Sequence, residues 1–204
     1  ILGFETSNHL QQAENLGFLE KVSDNSKDEN EFLTGFSHPD IKAGLYATLD
    51  NEKRKRLHLK IGRLLLNESG IKEHIYEIAD QLNSAREAIS SPEEKMVLAD
   101  INLQVGIAAL KKREAVTAYQ YFDQAHELLP DNCWDSNYEK TLTVHRKLCE
   151  AAKLSGKIER TGKISATLIE KANSDTIKTE AYMHHLHALK TTNNLHEALQ
   201  VGLK

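Results

Sequence analysis

The chain has 204 residues, 40% of them apolar and 27% charged, and carries a formal net charge of −4. That length holds one elongated domain or two small ones, and the apolar-to-charged balance is that of a globular chain, not a disordered one. Net acidity argues against a general nucleic-acid binder, no apolar run reaches the roughly 18–20 residues that cross a bilayer, and two cysteines, Cys133 and Cys149, cannot build a disulfide framework or a CxxC metal site.

Few prolines and many Ala, Leu, Glu and Lys favour helix, because straight side chains lose little rotamer freedom there. Unpatterned thiols suit a reducing cytosol, so a cytoplasmic protein is expected. The first residues, ILGFETSNHL, hold neither an initiator Met nor a signal-peptide pattern, and the helical pattern still runs in HEALQVGLK at the other end. A piece of a longer protein is expected.

In chain order, residues 7–15 read as a short helix. Leu16-Gly17-Phe18-Leu19-Glu20-Lys21-Val22 and Glu31-Phe32-Leu33-Thr34-Gly35-Phe36 flank a polar loop, 23–30, and predict a β-hairpin. Another helix is predicted over 40–48. Helix, hairpin, helix is the order that ends a winged-helix domain, so 1–49 is expected to be such a C-terminal part.

From Asp50 onward the pattern is helical. Asp50 is placed to cap a helix bearing Leu57, Ile61, Leu64 and Leu65 on its apolar face, with Gly70 as its stop. A second helix over 71–82 lines up Ile75, Ile78, Ala79 and Leu82. Residues 50–90 thus read as connecting helices.

Ser91-Pro92-Glu93-Glu94 is the clearest start signal: Ser91 caps, Pro92 needs no N–H partner, and Glu94 should complete a capping box. The helix that follows, to about Lys112, should turn Val97, Ile101, Val105, Ala108 and Ala109 inward. Its partner over 115–129 stops at Pro130. Ser136 and Glu139 read as a second capping box, opening a helix through Leu142, His145, Leu148 and Ala152 to Gly156. Helices over 158–172, 175–191 and from Leu195 complete three pairs within 91–204.

In the first pair Gly106, Ala118, Phe122, Ala125 and Pro130 fall at the spacings of a tetratricopeptide repeat. Gly106 and Ala118 would let the two helices approach, Phe122 and Ala125 would fill the contact, and Pro130 would end the unit. Cys149 and Thr161 replace the small pair in the second unit, and Ala198 follows the turn Thr192-Asn193-Asn194 in the third. Ala118, Thr161 and Ala198 are 43 and 37 residues apart, longer than the standard repeat of about 34. The expected fold is all-α: antiparallel helix pairs stacked as a tetratricopeptide-like superhelix, with a small winged-helix-like portion at the N-terminus.

A wider resemblance rests on an ordered series. It comprises Phe36-Ser37-His38-Pro39-Asp40-Ile41, Arg56-Leu57-His58-Leu59-Lys60-Ile61-Gly62-Arg63-Leu64-Leu65 and Tyr76-Glu77-Ile78-Ala79-Asp80-Gln81-Leu82-Asn83. It continues with Ala99-Asp100-Ile101-Asn102-Leu103-Gln104-Val105-Gly106, Tyr121-Phe122 and Leu128-Leu129-Pro130-Asp131. These resemble the region after the nucleotide-binding module of bacterial AAA/STAND-type signalling ATPases, which carry Ser/Thr kinase-like and sensor histidine-kinase domains. The resemblance implies a helical arm coupling effector or partner binding to neighbouring domains, with ATP or ADP bound elsewhere in the full-length protein. It also implies that His38, where the family has a winged-helix histidine before a helix, senses a nucleotide phosphate.

No P-loop, Gly-x-Ser-x-Gly, HExxH or kinase-loop motif occurs in the chain. The expectation is therefore a non-catalytic segment whose partners are proteins, peptides or its own neighbouring domains. Tyr119 and Tyr121, on different faces of one helix, are the candidate interaction residues. Glu180, His184 and His187 share a helical face and offer the rival reading of a metal-dependent enzyme, with His145 and Cys149 as a second i, i+4 pair. A third reading, a DNA-binding winged helix, would use Lys53-Arg54-Lys55-Arg56, Lys60 and Arg63.

Overall fold

A computed structural model describes residues 4–22, 33–68, 74–194, 198 and 200. The chain divides into two compact units, Ile1–Arg54 and Lys55–Lys204. Among the described residues the fold is all-α apart from one short hairpin.

In the first unit α1 (Phe4–Asn15) leads into β1 (Leu19–Val22), which pairs antiparallel with β2 (Leu33–Phe36), Leu19 opposite Phe36. The Ser37 hydroxyl donates to the Gly17 carbonyl at 2.5 Å and fixes the exit from β2. α2 (Pro39–Thr48) follows, with Pro39 in its first turn, where a missing N–H costs nothing. Arg54 then donates to the carbonyls of Tyr46 and Ala47, both at 3.2 Å, and so satisfies the orphan acceptors at the α2 C-terminus. None of residues 9–20 and 35–54 is buried, and Leu16, Phe18, Phe36 and Leu45 are exposed.

α3 (Asn51–Glu68) begins at the division, capped as its sequence predicts: Asp50 accepts from the Lys53 N–H at 2.7 Å. Gly70 lies outside the described residues. The second unit continues with α4 (Ile75–Ser84), a 3-10 turn (Arg86–Ala88), α5 (Pro92–Lys111), α6 (Ala115–Glu127), the short α7 (Cys133–Ser136), α8 (Tyr138–Leu154), α9 (Ile158–Lys171) and α10 (Asp175–Thr191). Helices α5 and α6, α8 and α9, and α9 and α10 pack against each other, and α6 also packs on α8.

The same turn joins α5 to α6, α8 to α9, and follows α10. Arg113, Gly156 and Asn193 each take a left-handed backbone, with φ of 64°, 73° and 59°. The next residue's N–H then reaches back to a carbonyl five positions earlier: Glu114 to Ala109, Lys157 to Ala152, Asn194 to Leu189. These are Schellman ends, which use up helix-terminal carbonyls and reverse the chain at a fixed angle. The three left-handed positions are spaced by 43 and 37 residues, the spacings of Ala118, Thr161 and Ala198.

Two apolar clusters fill the stack. Ile78, Leu82, Leu98, Ile101 and Val105 join α4 to α5, while Phe122, Leu148, Cys149, Ile164 and Leu168 join α6, α8 and α9. Four local expectations fail. Leu57 and Leu64 of α3, expected on its apolar face, are 40% and 44% exposed, while Leu59, Leu65 and Leu66 pack on the α4–α5 cluster. Val97 is 43% exposed, and Leu98, Ala99 and Asn102 take the inward places because α5 is covered from both α4 and α6. Ser91 does accept from the Glu94 N–H at 3.2 Å, but the Glu94 carboxylate turns to Arg63 instead of completing the box. Ser136 ends α7 and donates to the Asn132 carbonyl, so α8 starts at Tyr138 with Asn137 at its N-cap and no side-chain cap bond.

Candidate functional site

Side-chain pairs couple each layer of the second unit to the next. Arg63 of α3 holds Glu94 of α5 at 2.7 and 2.8 Å, Lys140 of α8 meets Asp100 of α5 at 2.8 Å, and Arg146 of α8 meets Glu180 of α10 at 2.8 Å. Tyr121 of α6 donates to Asp80 of α4 at 2.6 Å, and Arg160 of α9 grips Asp123 of α6. Between α4 and α5, Asn83 and Asn102 exchange two amide hydrogen bonds, at 2.7 and 2.9 Å, with Asn102 fully buried.

Partly exposed ion pairs contribute only about 0–1 kcal/mol each, so they set register more than stability. The buried amide pair is different, since a polar group cut off from water must find its partner there.

The electrostatics follow from burial. The Arg63 hydrogen bond holds the Glu94 carboxyl below the usual range. Burial, then Asp80, pushes the Tyr121 phenol up, which keeps it a donor. Burial pushes His145 down to about 4 and also lowers His126, with Arg160 adding to it.

The residues singled out in the repeat register lie as follows. Gly106, Ala118, Phe122 and Ala125 are buried, with Gly106 against the Phe122 ring. Pro130 is exposed, and its carbonyl accepts from the Cys133 N–H to open α7. Ala198 is half-buried and donates its N–H to the Asn194 carbonyl, as Ala118 does to Glu114 and Thr161 to Lys157. Cys149 lies fully buried with its sulfur 3.9 Å from the Thr161 carbonyl.

The two tyrosines separate. Tyr121 is 9% exposed and braces α6 against α4, so its hydroxyl is committed inside the protein. Tyr119 is half-buried and lines an open groove of about 510 Å³ with Lys157, Arg160 and Thr192. An adjoining groove of about 400 Å³ between α9 and α10 is lined by Ile158, Gly162, Ala166, His185 and Leu189.

His38 is the N-cap of α2: its Nδ1 accepts from the Asp40 N–H at 3.2 Å. The Asp40 carboxylate stands 3.3 Å from the same nitrogen. A nitrogen that accepts has no proton to offer a carboxylate, so cap and ion pair are alternatives set by protonation. The imidazole remains 63% exposed.

Among the described residues no group of three metal-ligating side chains converges. His184 approaches Glu180 only to 4.0 Å, Glu180 is taken by Arg146, and His187 is exposed. The basic run is largely consumed within each unit: Lys53 by Asp50, Arg54 by the α2 carbonyls, Lys55 by Glu87, Arg63 by Glu94. No described helix is long and apolar enough to cross a membrane.

Sequence reasoning missed the Asn83–Asn102 pair and the contact of Asp123, His126 and Arg160. Partners 19 to 37 residues apart leave no local periodicity to read.

No protein-family model matches the chain, and no solved structure matches it at a significant level. A curated relative, Hybrid signal transduction histidine kinase G of Dictyostelium discoideum, is 22% identical over 167 residues. The match covers 69% of this chain and 5% of that relative's length. The chain is thus an all-α protein with partial similarity to a signalling histidine kinase.

Proposed function

We propose that this chain is a tetratricopeptide-like, non-catalytic arm of a larger cytoplasmic signalling protein of the AAA/STAND ATPase and sensor-kinase kind. It binds a protein or peptide partner, or neighbouring domains of its own chain, and passes that state to them. The observation that carries the reading is the turn repeated at Arg113, Gly156 and Asn193, which gives successive helices one register. In a stack of this kind each unit touches only its neighbours and leaves a long surface open to partners.

The likeness to a signal transduction histidine kinase supports the signalling side of the reading. In it, residues 1–49 belong to a winged-helix-like domain, 50–90 connect, and 91–204 form the repeats. The exposed apolar residues Leu16, Phe18, Phe36 and Leu45 agree with a domain completed by other parts of the full protein. ATP or ADP binds in that larger protein, with His38 the side chain offered to a phosphate and Tyr119 the side chain offered to a partner.

Deleting residues 138–172, which hold α8 and α9, from the full-length protein tests the proposal. Stimulated phosphotransfer should fall to the unstimulated level while basal turnover persists. An unchanged stimulus response would overturn it.

A further inference from the structure

Where the α5–α6 pair meets the α8–α9 pair, two imidazoles and a guanidinium lie in contact. The ring centroids of His126 on α6 and His145 on α8 are 4.8 Å apart. Arg160 Nη2 of α9 stands 3.3 Å from His126 Nδ1. A guanidinium has N–H donors and no acceptor, so His126 Nδ1 must offer its lone pair and the neutral ring carries its proton on Nε2. The same guanidinium donates to Asp123 Oδ1 through Nε at 3.1 Å and Nη2 at 2.6 Å, the ion pair that joins α6 to α9.

His145 is held in the other tautomer. Its Nδ1 lies 2.8 Å from the Thr141 carbonyl, which only accepts, so the proton sits on Nδ1. Trp134 of α7 covers its ring at a centroid distance of 4.7 Å. The charged or titratable groups facing His126 are therefore Asp123 on its own helix, His145 from α8 and Arg160 from α9. Behind them Tyr119 donates to Asp123 Oδ2 at 3.4 Å, and Lys157 of the α8–α9 turn lies over the Tyr119 ring.

We propose that His126 is a proton-operated latch on this joint. Neutral, it accepts from Arg160 and the Asp123–Arg160 pair stays closed. Protonated by solvent on Nδ1, it points a new N–H at the guanidinium, donor against donor. Asp123, three residues earlier on the same helix face, then exchanges Arg160 for the imidazolium. The α6–α9 joint loosens while each helix pair keeps its own apolar contacts.

Burial and the Arg160 charge hold His126 below the ordinary imidazole range, with Asp123 opposing, so the latch opens only on acidification. The inference goes beyond the proposed function, because it depends on three side chains, His126, Asp123 and Arg160, and not on what the stack binds. It adds a stimulus to which the stack responds.

The test uses the full chain and urea midpoints at about pH 7.5 and about pH 5, on either side of the imidazole range. Arg160→Gln should lower the midpoint at neutral pH, and lower it less, or raise it, at acid pH. His126→Asn keeps an acceptor near the Nδ1 position and cannot gain a proton. In that background Arg160→Gln should cost the same at both pH values. A pH-independent cost with His126 present, or a pH-dependent one without it, overturns the latch.

A second measurement leaves the ion pair intact. Trp134 is the sole tryptophan and touches His145, so its fluorescence reports protonation at the cluster. A step centred below the ordinary imidazole range, and removed by His126→Asn, is expected. His145 contributes its own step at about 4, which His126→Asn leaves in place, and a trace that holds that step alone sinks the proposal.

Discussion

The ring of Phe122 occupies the place where a side chain on Gly106 would begin. A Cβ there would stand 2.6 Å from Phe122 Cδ1 and 2.8 Å from its Cζ, well inside carbon–carbon contact. Gly106→Ala gains about 1 kcal/mol of helix propensity but costs about 1–3 kcal/mol of overpacking in a filled core. A lower urea midpoint is expected, with the penalty reduced in a Phe122→Leu background. A substitution that proves neutral with Phe122 in place would show that the α5–α6 contact is loose.

Asn102 is fully buried and its only described amide partner is Asn83. Asn102→Ala leaves the Asn83 amide short of both bonds and should cost about 1–3 kcal/mol. Replacing both residues by Leu removes the orphan, so the pair of changes should cost less than the two single changes added. A double-mutant cycle by chemical denaturation reads this coupling directly. Strict additivity would mean that the amides are satisfied by something else.

Acid should destabilise the second unit before its carboxylates titrate. Unfolded, His145 takes up a proton near 6.5; folded, burial delays this to about 4. The unfolded state therefore binds more protons through that window, and stability is complete above it and lost as pH falls. The slope approaches about 1.4 kcal/mol per pH unit for one such histidine, about 3 kcal/mol across the window. Urea midpoints measured across the window should fall accordingly, and His145→Asn should flatten the curve. A flat curve in the unmodified chain would contradict neutral burial.

Both thiols should be inert in the folded protein. Cys133 and Cys149 are buried, and burial pushes the Cys149 thiol up to about 12, leaving almost no thiolate to attack a reagent. Labelling with an aromatic disulfide should proceed only after unfolding, giving two equivalents in denaturant. Rapid native labelling would mean that the α8–α9 contact opens readily.

Helix starts and stops were legible where the signal is local. Asp50, Ser91, Pro92 and Gly156 act on groups within four residues, and each does so as expected. The register was legible too, since small residues recur where helices must approach. Misreadings came where a side chain had a distant choice: Glu94 prefers Arg63 over its own cap, and Val97 yields the interior to Leu98. Sequence placed Tyr119 and Tyr121 on different faces of one helix, and only Asp80 arriving from α4 shows which of the two faces inward.

The order of residues alone determined that this chain is helical, where most helices begin and end, and that its turns recur at unequal spacings. Those properties come from backbone sterics and capping, which act over a single turn of helix. The tertiary structure decided which polar groups are brought together, Asn83 with the buried Asn102 and His126 with Arg160, and which cations are consumed. Such pairings depend on helices meeting across tens of residues, and desolvation gives them meaning only once water has been excluded.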